Sequence, residues 1–249
     1  MENLFKLSGK RVLVTGASSG IGRACAIVAA EFGASVVLSG RRIEAPEETS
    51  RLCGSGSHEC VAGDISSPAF VDELVRCAGR IDGLVHAAGV CPLLPVGMVD
   101  RDGSELAMRT NYLSFLDLMK AYSRRKFRAE KFSAVAISSV SAVAGWSGGV
   151  VYCGTKGALS AAVRALAVEL APKGVRVNAV CPSNIRTPMF AATMADFNDE
   201  ESERMIVAKQ PLGIGSPEQV AWPVCFLLSD ASSFITGVNL PVDGGYLAQ

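Results

Sequence analysis

Apolar positions along the chain follow two alternating patterns. Short runs rich in Val, Ile and Leu predict buried strands, and longer stretches with spaced apolar residues predict helices. The predicted strands are Arg11–Thr15, Ser35–Leu38, Glu59–Ala62, Gly83–His86, Ala134–Ile137, Arg176–Val180 and Gly237–Leu240. The predicted helices lie near 20–32, 66–78, 101–127, 152–171 and 217–228. This alternation indicates right-handed βαβ units and therefore an α/β protein with a doubly wound parallel sheet, the Rossmann fold.

Nothing in the sequence divides this pattern into separate units. We find no repeat, low-complexity tract or linker, so residues 1–249 are predicted to form one domain for dinucleotide binding and catalysis. Pro46, Gly54 and Gly56 predict a stunted helix in segment 43–58. A substrate lid is expected at about 189–210, where six apolar residues alternate with acidic ones: Met189, Phe190, Met194, Phe197, Met205 and Ile206. Loops 90–98 and 141–150, with Trp146, are expected to complete an apolar pocket.

Composition narrows the classes of protein. The chain is 49% hydrophobic, and its 24 Lys and Arg balance its 24 Asp and Glu, which argues against a nucleic-acid partner. No apolar run reaches the ~18 residues of a membrane helix, and the start has no signal-peptide core, so a cytoplasmic location without membrane contact is expected. The eight Cys include no C-x-x-C pair and there are only two His, so no metal site is predicted.

A glycine-rich loop follows the first predicted strand. It reads Thr15-Gly16-Ala17-Ser18-Ser19-Gly20-Ile21-Gly22 and leads into an Ala-rich helix. Gly16 would permit the tight turn, Gly20 the approach of backbone to a pyrophosphate, and Gly22 close packing of helix on strand. The phosphates would then lie at the helix N-terminus, where free N–H groups favour anions. The alternative is an ordinary strand–helix turn that happens to contain glycines.

Three side chains indicate the chemistry. Tyr152 and Lys156 are four residues apart, on one face of a predicted helix, and Ser139 lies thirteen residues before Tyr152. A phenol with a pKa near ~10 is a poor acid or base at neutral pH, and a nearby cation favours its phenolate. Together with the glycine loop, this set predicts proton transfer to a carbonyl oxygen as a hydride reaches the carbonyl carbon.

In order and spacing, these motifs resemble the short-chain dehydrogenase/reductase superfamily in its compact form, over essentially the whole chain. The matching landmarks are Thr15–Gly22, Asp64-Ile65, Ala88-Gly89, Asn111, Ser139, Tyr152, Lys156, Asn178, Pro182, Thr187 and the closing Pro241-Val242-Asp243-Gly244-Gly245. The resemblance implies that Tyr152 is the general acid or base and that Lys156 lowers its pKa and binds the nicotinamide ribose. It also implies that Ser139 polarises the substrate carbonyl, and that Asn111 holds a water linking Lys156 to solvent.

The resemblance also implies which residues bind the dinucleotide. These are Gly16, Ser18, Ser19, Gly20, Ile21, Gly22, Arg41, Arg42, Asp64, Ile65, Ala88, Gly89, Tyr152, Lys156, Pro182, Ile185 and Thr187. Two departures stand out. His86-Ala87 replaces the usual Asn-Asn after the fourth strand, so His86 is either a satisfied buried imidazole or the source of the missing hydrogen bonds. Pro182-Ser183 replaces the usual Pro-Gly, and Ser183 is either tolerated or donates to the cofactor.

The end of the second predicted strand bears on which dinucleotide is bound. An acid at this tip would take the adenosine ribose hydroxyls and select NAD, but the sequence there is Gly40-Arg41-Arg42. A guanidinium suits a 2′-phosphate, so NADP(H) is favoured over NAD(H). The alternative is a solvated pair of arginines, and Ser19 fills a place that is basic in many NADP-preferring relatives.

The substrate is less determined than the reaction. The leading hypothesis is a 3-oxoacyl thioester, with acyl carrier protein as a possible partner docking on basic residues: Arg124, Arg125, Lys126, Arg128, Lys131 and Lys173. A solvated basic helix end explains the same run. Hydroxysteroid, bile-acid or sugar/polyol dehydrogenases remain open within this enzyme class. A non-catalytic NADP(H)-binding sensor or scaffold is the alternative outside it, and the intact Ser139, Tyr152 and Lys156 argue against that.

The predicted helix 152–171 bears on assembly. It is apolar nearly all round, which implies burial on more than one face. Members of the resembled family pair this helix and the one at 101–127 across a two-fold axis, and use a C-terminal stretch, here Phe234–Leu247, for another axis. We therefore expect a homotetramer, with a dimer as the alternative.

Overall fold

The fold is a parallel sheet of seven strands with helices on both faces. The computed structural model describes residues 4–194, 204 and 207–249. The strands are β1 Arg11–Thr15, β2 Ser35–Gly40, β3 Glu59–Ala62, β4 Ile81–His86, β5 Arg128–Ile137, β6 Val175–Pro182 and β7 Asn239–Val242. Their order in the sheet is β3-β2-β1-β4-β5-β6-β7, and all neighbours are parallel. The order reverses between β1 and β4, where ligands bind in sheets of this kind, at the carboxyl ends of the strands.

The helices cover the sheet in two layers. They are α1 Gly20–Glu31, α2 Glu44–Leu52, α3 Pro68–Ala78, α4 Arg101–Met108, α5 Ser114–Tyr122, α6 Val150–Leu170, α7 Pro188–Met194 and α8 Pro217–Leu228. Helices α1 and α8 supply buried residues to the core on one face, and α3, α5 and α6 supply the core on the other. The doubly wound sheet predicted from the sequence is thereby confirmed.

Each central strand has side chains in the cores on both faces of the sheet, and this explains its uninterrupted apolar sequence. In β1, Val12 and Val14 point into the core beneath α1, whereas Leu13 points into the core beneath α3 and α5. Val85 and Leu84 of β4 divide in the same way. Because side chains alternate along a strand, a sheet covered on both faces needs apolar residues at consecutive positions.

The predicted helix at 101–127 differs from the structure. It is divided into α4, a π-helical turn at Arg109–Leu113 and α5, which ends at Tyr122. The wide turn places the buried Asn111 at the break, and π-turns within α-helices frequently mark functional sites. Of the remaining residues to 127, Arg125–Phe127 form a separate 3₁₀ turn.

Smaller differences concern the ends of elements. The third helix begins at Pro68 rather than near 66, and the last strand begins two residues later than predicted. Segment 43–58 contains the expected short helix, α2, with nine residues. Of the predicted lid, Pro188–Met194 forms α7, whereas residues 195–203 and 205–206 lie outside the described residues. Among the helices that the structure describes, none has the length and apolar character of a membrane span.

Candidate active site

The glycine loop between β1 and α1 has the close packing that its sequence predicts. Gly16 has a φ of +67°, and a Cβ there would lie 2.6 Å from the backbone nitrogen of Ala88. A Cβ on Gly22 would overlap the carbonyl oxygen of Gly16, so the helix can approach the strand only with glycine here. Gly20, with a φ of +53°, faces Thr187, and a Cβ on it would lie 3.1 Å from the Thr187 methyl carbon. A side chain at Gly20 would fill the cradle between the glycine loop and the loop that carries Thr187, whereas one at Gly16 or Gly22 would collide with backbone.

The loop is held in place by contacts that sequence reasoning missed. Thr49 of α2 donates to the carbonyl of Ala17 at 2.8 Å, and Arg23 of α1 donates to the carbonyl of Ser18 at 2.7 Å. Arg23 also pairs with Glu48 at 3.1 Å. The contact between Thr49 and Ala17 joins residues 32 positions apart, so no local pattern could have revealed it. Helix α2 thus fixes the shape of the loop.

The amino end of α1 suits an anion. Its N-cap residue, Ser19, is extended and makes no side-chain capping bond. The first N–H groups of a helix have no partner within the helix, and the helix dipole favours negative charge there. Together with the open cradle at Gly16 and Gly20, this end fits the pyrophosphate of a dinucleotide.

Four of the residues predicted to bind the dinucleotide lie at the carboxyl ends of β2 and β3, which are neighbours in the sheet. Arg41 and Arg42 are exposed, and neither forms an ion pair with any residue that the structure describes. A Cβ on Gly40 would overlap the Ser18 hydroxyl, so the two lie against each other. Asp64 is exposed and Ile65 is buried just beyond β3. Two free guanidinium groups therefore stand at the tip predicted to choose the dinucleotide.

The structure brings the three predicted catalytic side chains together. Ser139 follows β5, while Tyr152 and Lys156 lie on the first turns of α6. The Ser139 Oγ donates to the carbonyl of Pro182 at 3.4 Å and accepts from the Ser141 N–H at 3.1 Å, and hydrogen bonding from Ser139 lowers the pKa of Tyr152. The Lys156 Nζ lies 5.6 Å from the centroid of the Tyr152 ring. A carbonyl oxygen between the two hydroxyls would be within reach of both.

Electrostatics at this centre differ from the sequence expectation. Burial raises the pKa of Tyr152 above that of a free phenol, and Ser139 opposes the rise. The Lys156 Nζ donates to the carbonyl of Ile137 at 2.7 Å, and the expected lowering of the Tyr152 pKa by Lys156 stays a prediction. Burial also lowers the pKa of Lys156 to about 8. At neutral pH Tyr152 is therefore a protonated acid, and Lys156 is a cation held near its point of titration.

Asn111 ties the centre together through its side chain. Its amide nitrogen donates to Thr155 Oγ1 and to the carbonyl of Val90, each at 2.9 Å, and its Oδ1 accepts from the Val90 N–H at 2.8 Å. Both amide hydrogens are thus used by protein groups. The expected water beside Lys156 stays a prediction, and what the structure shows is a clamp from the π-turn to α6. Gly89 lies against this clamp, since a Cβ there would be 3.3 Å from Asn111 Oδ1.

The loop after β6 closes the predicted cofactor cleft. Ile185 is buried and Thr187 faces Gly20 across the cradle, while Pro182 ends β6 next to Ser139. Ser183 donates to the carbonyl of Asp243 at 2.9 Å. The hydroxyl that replaces the family's usual glycine is therefore tied to the C-terminal turn.

The two loops that are expected to line a substrate pocket contact each other. The Leu94 N–H donates to the carbonyl of Gly148 at 3.1 Å, which joins loops 90–98 and 141–150. Trp146 donates from Nε1 to Ser141 Oγ at 3.0 Å, and its ring centroid lies 6.4 Å from that of Tyr152. Sequence reasoning missed Cys91, whose pKa burial raises to about 11 close to Tyr152 and Lys156.

The basic run near 124–131 lies away from this centre. Arg128 starts β5, whereas Ser139 follows its end, so the two lie at opposite ends of this strand. Arg128 is buried and donates to the carbonyl of Lys173 at 2.9 Å. Arg125 pairs with Glu130 at 3.0 Å, and Lys126 lies over the ring of Phe127. Much of the basic run is therefore engaged with the chain itself.

Comparison with known proteins agrees with this geometry. The family described as Enoyl-(Acyl carrier protein) reductase matches residues 16–247. L-rhamnose 1-dehydrogenase (NAD(P)(+)) of Sphingomonas sp. is 35% identical over 96% of each chain. L-xylulose reductase of Bos taurus is 34% identical over 98% of this chain and 99% of its own. A structure described as a candidate NAD(P)-dependent gluconate 5-dehydrogenase of Beutenbergia cavernae, with bound NADP, has a TM-score of 0.90 at 34% identity and covers 99% and 100% of the two chains.

The fold and the site thus define an oxidoreductase that uses a nicotinamide dinucleotide, NAD(P). The chain belongs to the short-chain dehydrogenase/reductase family, whose members interconvert CH–OH groups and carbonyls. The resemblance inferred from its motifs is confirmed.

Proposed function

We propose that the chain interconverts the secondary alcohol and the ketone of a sugar, polyol or sugar acid, with NADP(H) favoured. The grouping of Ser139, Tyr152 and Lys156 at the carboxyl ends of the strands carries the reaction. The bound nicotinamide supplies or accepts the hydride. Metal ligation has no part in the proposal.

Each side chain has a distinct task in the reduction. Ser139 and Tyr152 hydrogen-bond the substrate carbonyl oxygen and hold it in position. Tyr152 then donates its proton to this oxygen, and its raised pKa keeps that proton in place until the oxygen becomes basic. Lys156, moving from the Ile137 carbonyl, would bind the ribose hydroxyls and stabilise the resulting phenolate.

Two kinds of observation bear on the substrate. The relatives reported above are named for rhamnose, xylulose and gluconate, and their similarity spans almost the whole chain. The 3-oxoacyl hypothesis depends on a basic surface for a carrier, but Arg128 is buried and Arg125 is paired. We therefore place the sugar or polyol hypothesis first and keep the thioester as the competing one.

The NADP(H) preference is supported by charge at the tip of β2. Arg41 and Arg42 follow β2, which pairs with the strand that leads into the glycine loop. Both are exposed, and neither has an acidic partner among the described residues. A 2′-phosphate placed there would gain a charge-assisted hydrogen bond.

A substrate panel tests the proposed function. Purified protein would be given NADP⁺ with L-rhamnose, gluconate and xylitol, and NADPH with L-xylulose, a 3-oxoacyl thioester and a 3-oxosteroid. We expect turnover with at least one sugar or polyol and little with the thioester or steroid. Turnover confined to the thioester would replace the substrate class, and NADPH binding without turnover on any carbonyl would support the sensor hypothesis.

We also propose that the chain assembles as a homotetramer. The outer face of α6 leaves Ala161, Ala165 and Val168 exposed, with Val168 at 80%, and Phe234 is fully exposed. Val168→Glu would leave the protomer's own core untouched but place a charge in the proposed contact. Light scattering should show a tetramer for the wild type and smaller species for the variant. A monomeric wild type would refute the assembly.

A further inference from the structure

His86 lies at the centre of a chain of hydrogen bonds that joins three elements. It is the last residue of β4 and is 1% exposed. Its Nδ1 lies 3.1 Å from the Thr15 hydroxyl at the end of β1, and its Nε2 lies 3.4 Å from the Ser114 hydroxyl at the start of α5. Thr15 accepts from the Ala88 N–H at 3.2 Å, and Ser114 donates to the carbonyl of Thr110 at 2.7 Å. This series of hydrogen bonds therefore extends from the loop after β4 to the π-turn.

The direction of each bond fixes the tautomer of the imidazole. The Ser114 hydroxyl gives its one hydrogen to Thr110, so its oxygen can only accept from His86 Nε2–H. A neutral imidazole with a hydrogen on Nε2 has an acceptor at Nδ1, which takes the hydrogen of Thr15. The Thr15 oxygen remains free to accept from Ala88. Every donor in the chain thus meets an acceptor in one arrangement.

The imidazole is kept in this neutral form by its surroundings. Burial, together with the nearby Lys156 cation, lowers the pKa of His86 to about 3, although the backbone of Asn111 and Thr110 opposes the shift. The side chain of Phe115 packs against the ring, with centroids 5.5 Å apart. A protonated imidazole would have no acceptor for Thr15, so neutrality is needed for the bonding described.

The two ends of this chain are walls of the active site. At one end, Ala88 packs directly on the glycine loop, where a Cβ on Gly16 would touch its nitrogen. At the other end, Thr110 precedes Asn111, whose amide is bonded to Val90 and Thr155. His86 is thus a rigid spacer between the loop for the dinucleotide and the turn that clamps α6 beside Lys156.

We propose that His86 is a positioning residue for the proposed reaction. Its Nδ1 bond to Thr15, the Nδ1 arm, holds the glycine loop in position for the cofactor. Its Nε2 bond to Ser114, the Nε2 arm, holds the Asn111 turn in position for proton transfer. This inference rests on the proposed oxidoreductase chemistry but not on which sugar is used. The alternative is that His86 only fills space in the core, with its own hydrogen bonds satisfied there.

Two replacements separate the arms. In His86→Asn, the amide oxygen can occupy the place of Nδ1 and accept from Thr15, but the shorter side chain cannot reach Ser114. In His86→Leu, both arms are lost while an apolar group fills the core. Val85→Ala is the matched control, since Val85 is its neighbour in β4, fully buried in the opposite core. This control lowers stability through a cavity and removes no polar contact at the site.

The dissociation constant for NADPH, kcat and the melting temperature would be measured for all four proteins. We expect His86→Leu to weaken NADPH about tenfold and lower kcat about tenfold, the size of one lost buried hydrogen bond on each side. His86→Asn should bind NADPH within about threefold of wild type but share the low kcat. Val85→Ala should melt earlier and change neither parameter more than about threefold.

Equal effects of His86→Leu and Val85→Ala on binding and rate would overturn the positioning role, and so would a fully active His86→Asn. NADPH binding needs no substrate, so it keeps this test apart from the sugar assignment. If the wild type binds NADPH but reduces no sugar, the proposed substrate class is wrong. The difference in NADPH binding between His86→Leu and His86→Asn still supports or refutes the role of the Nδ1 arm. A wild type that binds no dinucleotide refutes both.

Discussion

The amino ends of the parallel strands lie along one side of the sheet, the amino edge, and their carboxyl ends lie along the other, the carboxyl edge. Charged side chains have different roles at these two edges. At the amino edge, an arginine at the start of each of three strands covers the end of a helix. Arg11 donates to Ala78 at the end of α3, Arg128 to Lys173 after α6, and Arg176 to Leu227 near the end of α8. Cations at helix C-termini satisfy carbonyls that have no partner within the helix and complement the helix dipole.

At the carboxyl edge, Arg23 is tied to Ser18 and Glu48 around the glycine loop, but other charged groups are left available or held by a single contact. Arg41, Arg42 and Asp64 are exposed beyond β2 and β3. Lys156 is buried, and among the residues that the structure describes its Nζ donates to one carbonyl, that of Ile137. The difference indicates that the amino edge stabilises the fold and the carboxyl edge is kept for ligands, so substitutions at the two edges should affect different measurements.

The largest effect is expected at the carboxyl edge, for Tyr152→Phe. Removing the proton donor should lower kcat by about 10²–10⁴-fold, the usual contribution of general acid–base catalysis. NADPH affinity and melting temperature should stay close to wild type, because only a hydroxyl is lost. Steady-state kinetics, a binding titration and thermal melting check this. A variant with near-normal turnover would remove Tyr152 from the mechanism.

The matching prediction for the amino edge is Arg128→Ala. It would remove three charge-assisted hydrogen bonds, to the part-buried carbonyls of Ala129, Glu130 and Lys173, so the free energy of unfolding should fall by about 2–4 kcal/mol. Turnover of the protein that remains folded should be unchanged. The exposed Arg124 is the control, and Arg124→Ala should cost no more than about 0.5 kcal/mol. A lower kcat in folded Arg128→Ala would contradict the assignment of stability to the amino edge and of function to the carboxyl edge.

Cofactor choice gives a smaller, selective effect. Arg41→Ala should weaken NADPH by about 1.5–3 kcal/mol, the range for a hydrogen bond to a charged group, and leave NADH nearly unchanged. Arg51→Ala, at the other end of α2, should change neither. Titrations with both dinucleotides measure the difference. Equal weakening of both by Arg41→Ala would contradict the phosphate assignment.

Local features of the sequence predicted the fold well. Every predicted strand overlaps an observed one, because strands buried on both faces must be apolar throughout. The break at Arg109–Leu113 escaped prediction, because the apolar pattern continues from α4 into α5 and a π-turn adds no residue type of its own. Tyr152 and Lys156 were predictable because four-residue spacing on a helix is a local property.

The parts of the site that escaped prediction are non-local. Thr49 holds the carbonyl of Ala17, and this partner does not follow from sequence spacing. The replacement of Asn-Asn by His86-Ala87 was visible in the sequence. Its consequence was not, because the partners Thr15 and Ser114 come from two other elements.

Titration of Lys156 gives a predicted pH dependence of about tenfold. Its pKa is lowered to about 8 by burial, and the charged form is the one expected to bind the ribose. Affinity for NADPH should therefore be full at pH 7 and fall about tenfold by pH 9, as the ammonium loses its proton. Lys156→Ala should bind more weakly throughout and show little change over this range. A wild type with flat affinity from pH 7 to 9 would contradict the ribose contact.

The smallest expected effect is at Ser183, which sits at the carboxyl edge but behaves like a residue of the amino edge. Its hydroxyl is committed to the carbonyl of Asp243, so it stabilises the C-terminal turn and does not await a ligand. Ser183→Ala should lower the free energy of unfolding by about 0.5–1.5 kcal/mol, the net value of one hydrogen bond. NADPH affinity should remain within about twofold of wild type. A loss of affinity with unchanged stability would mean that the hydroxyl turns to the cofactor when it binds, and the edge would then be devoted to ligands at this position too.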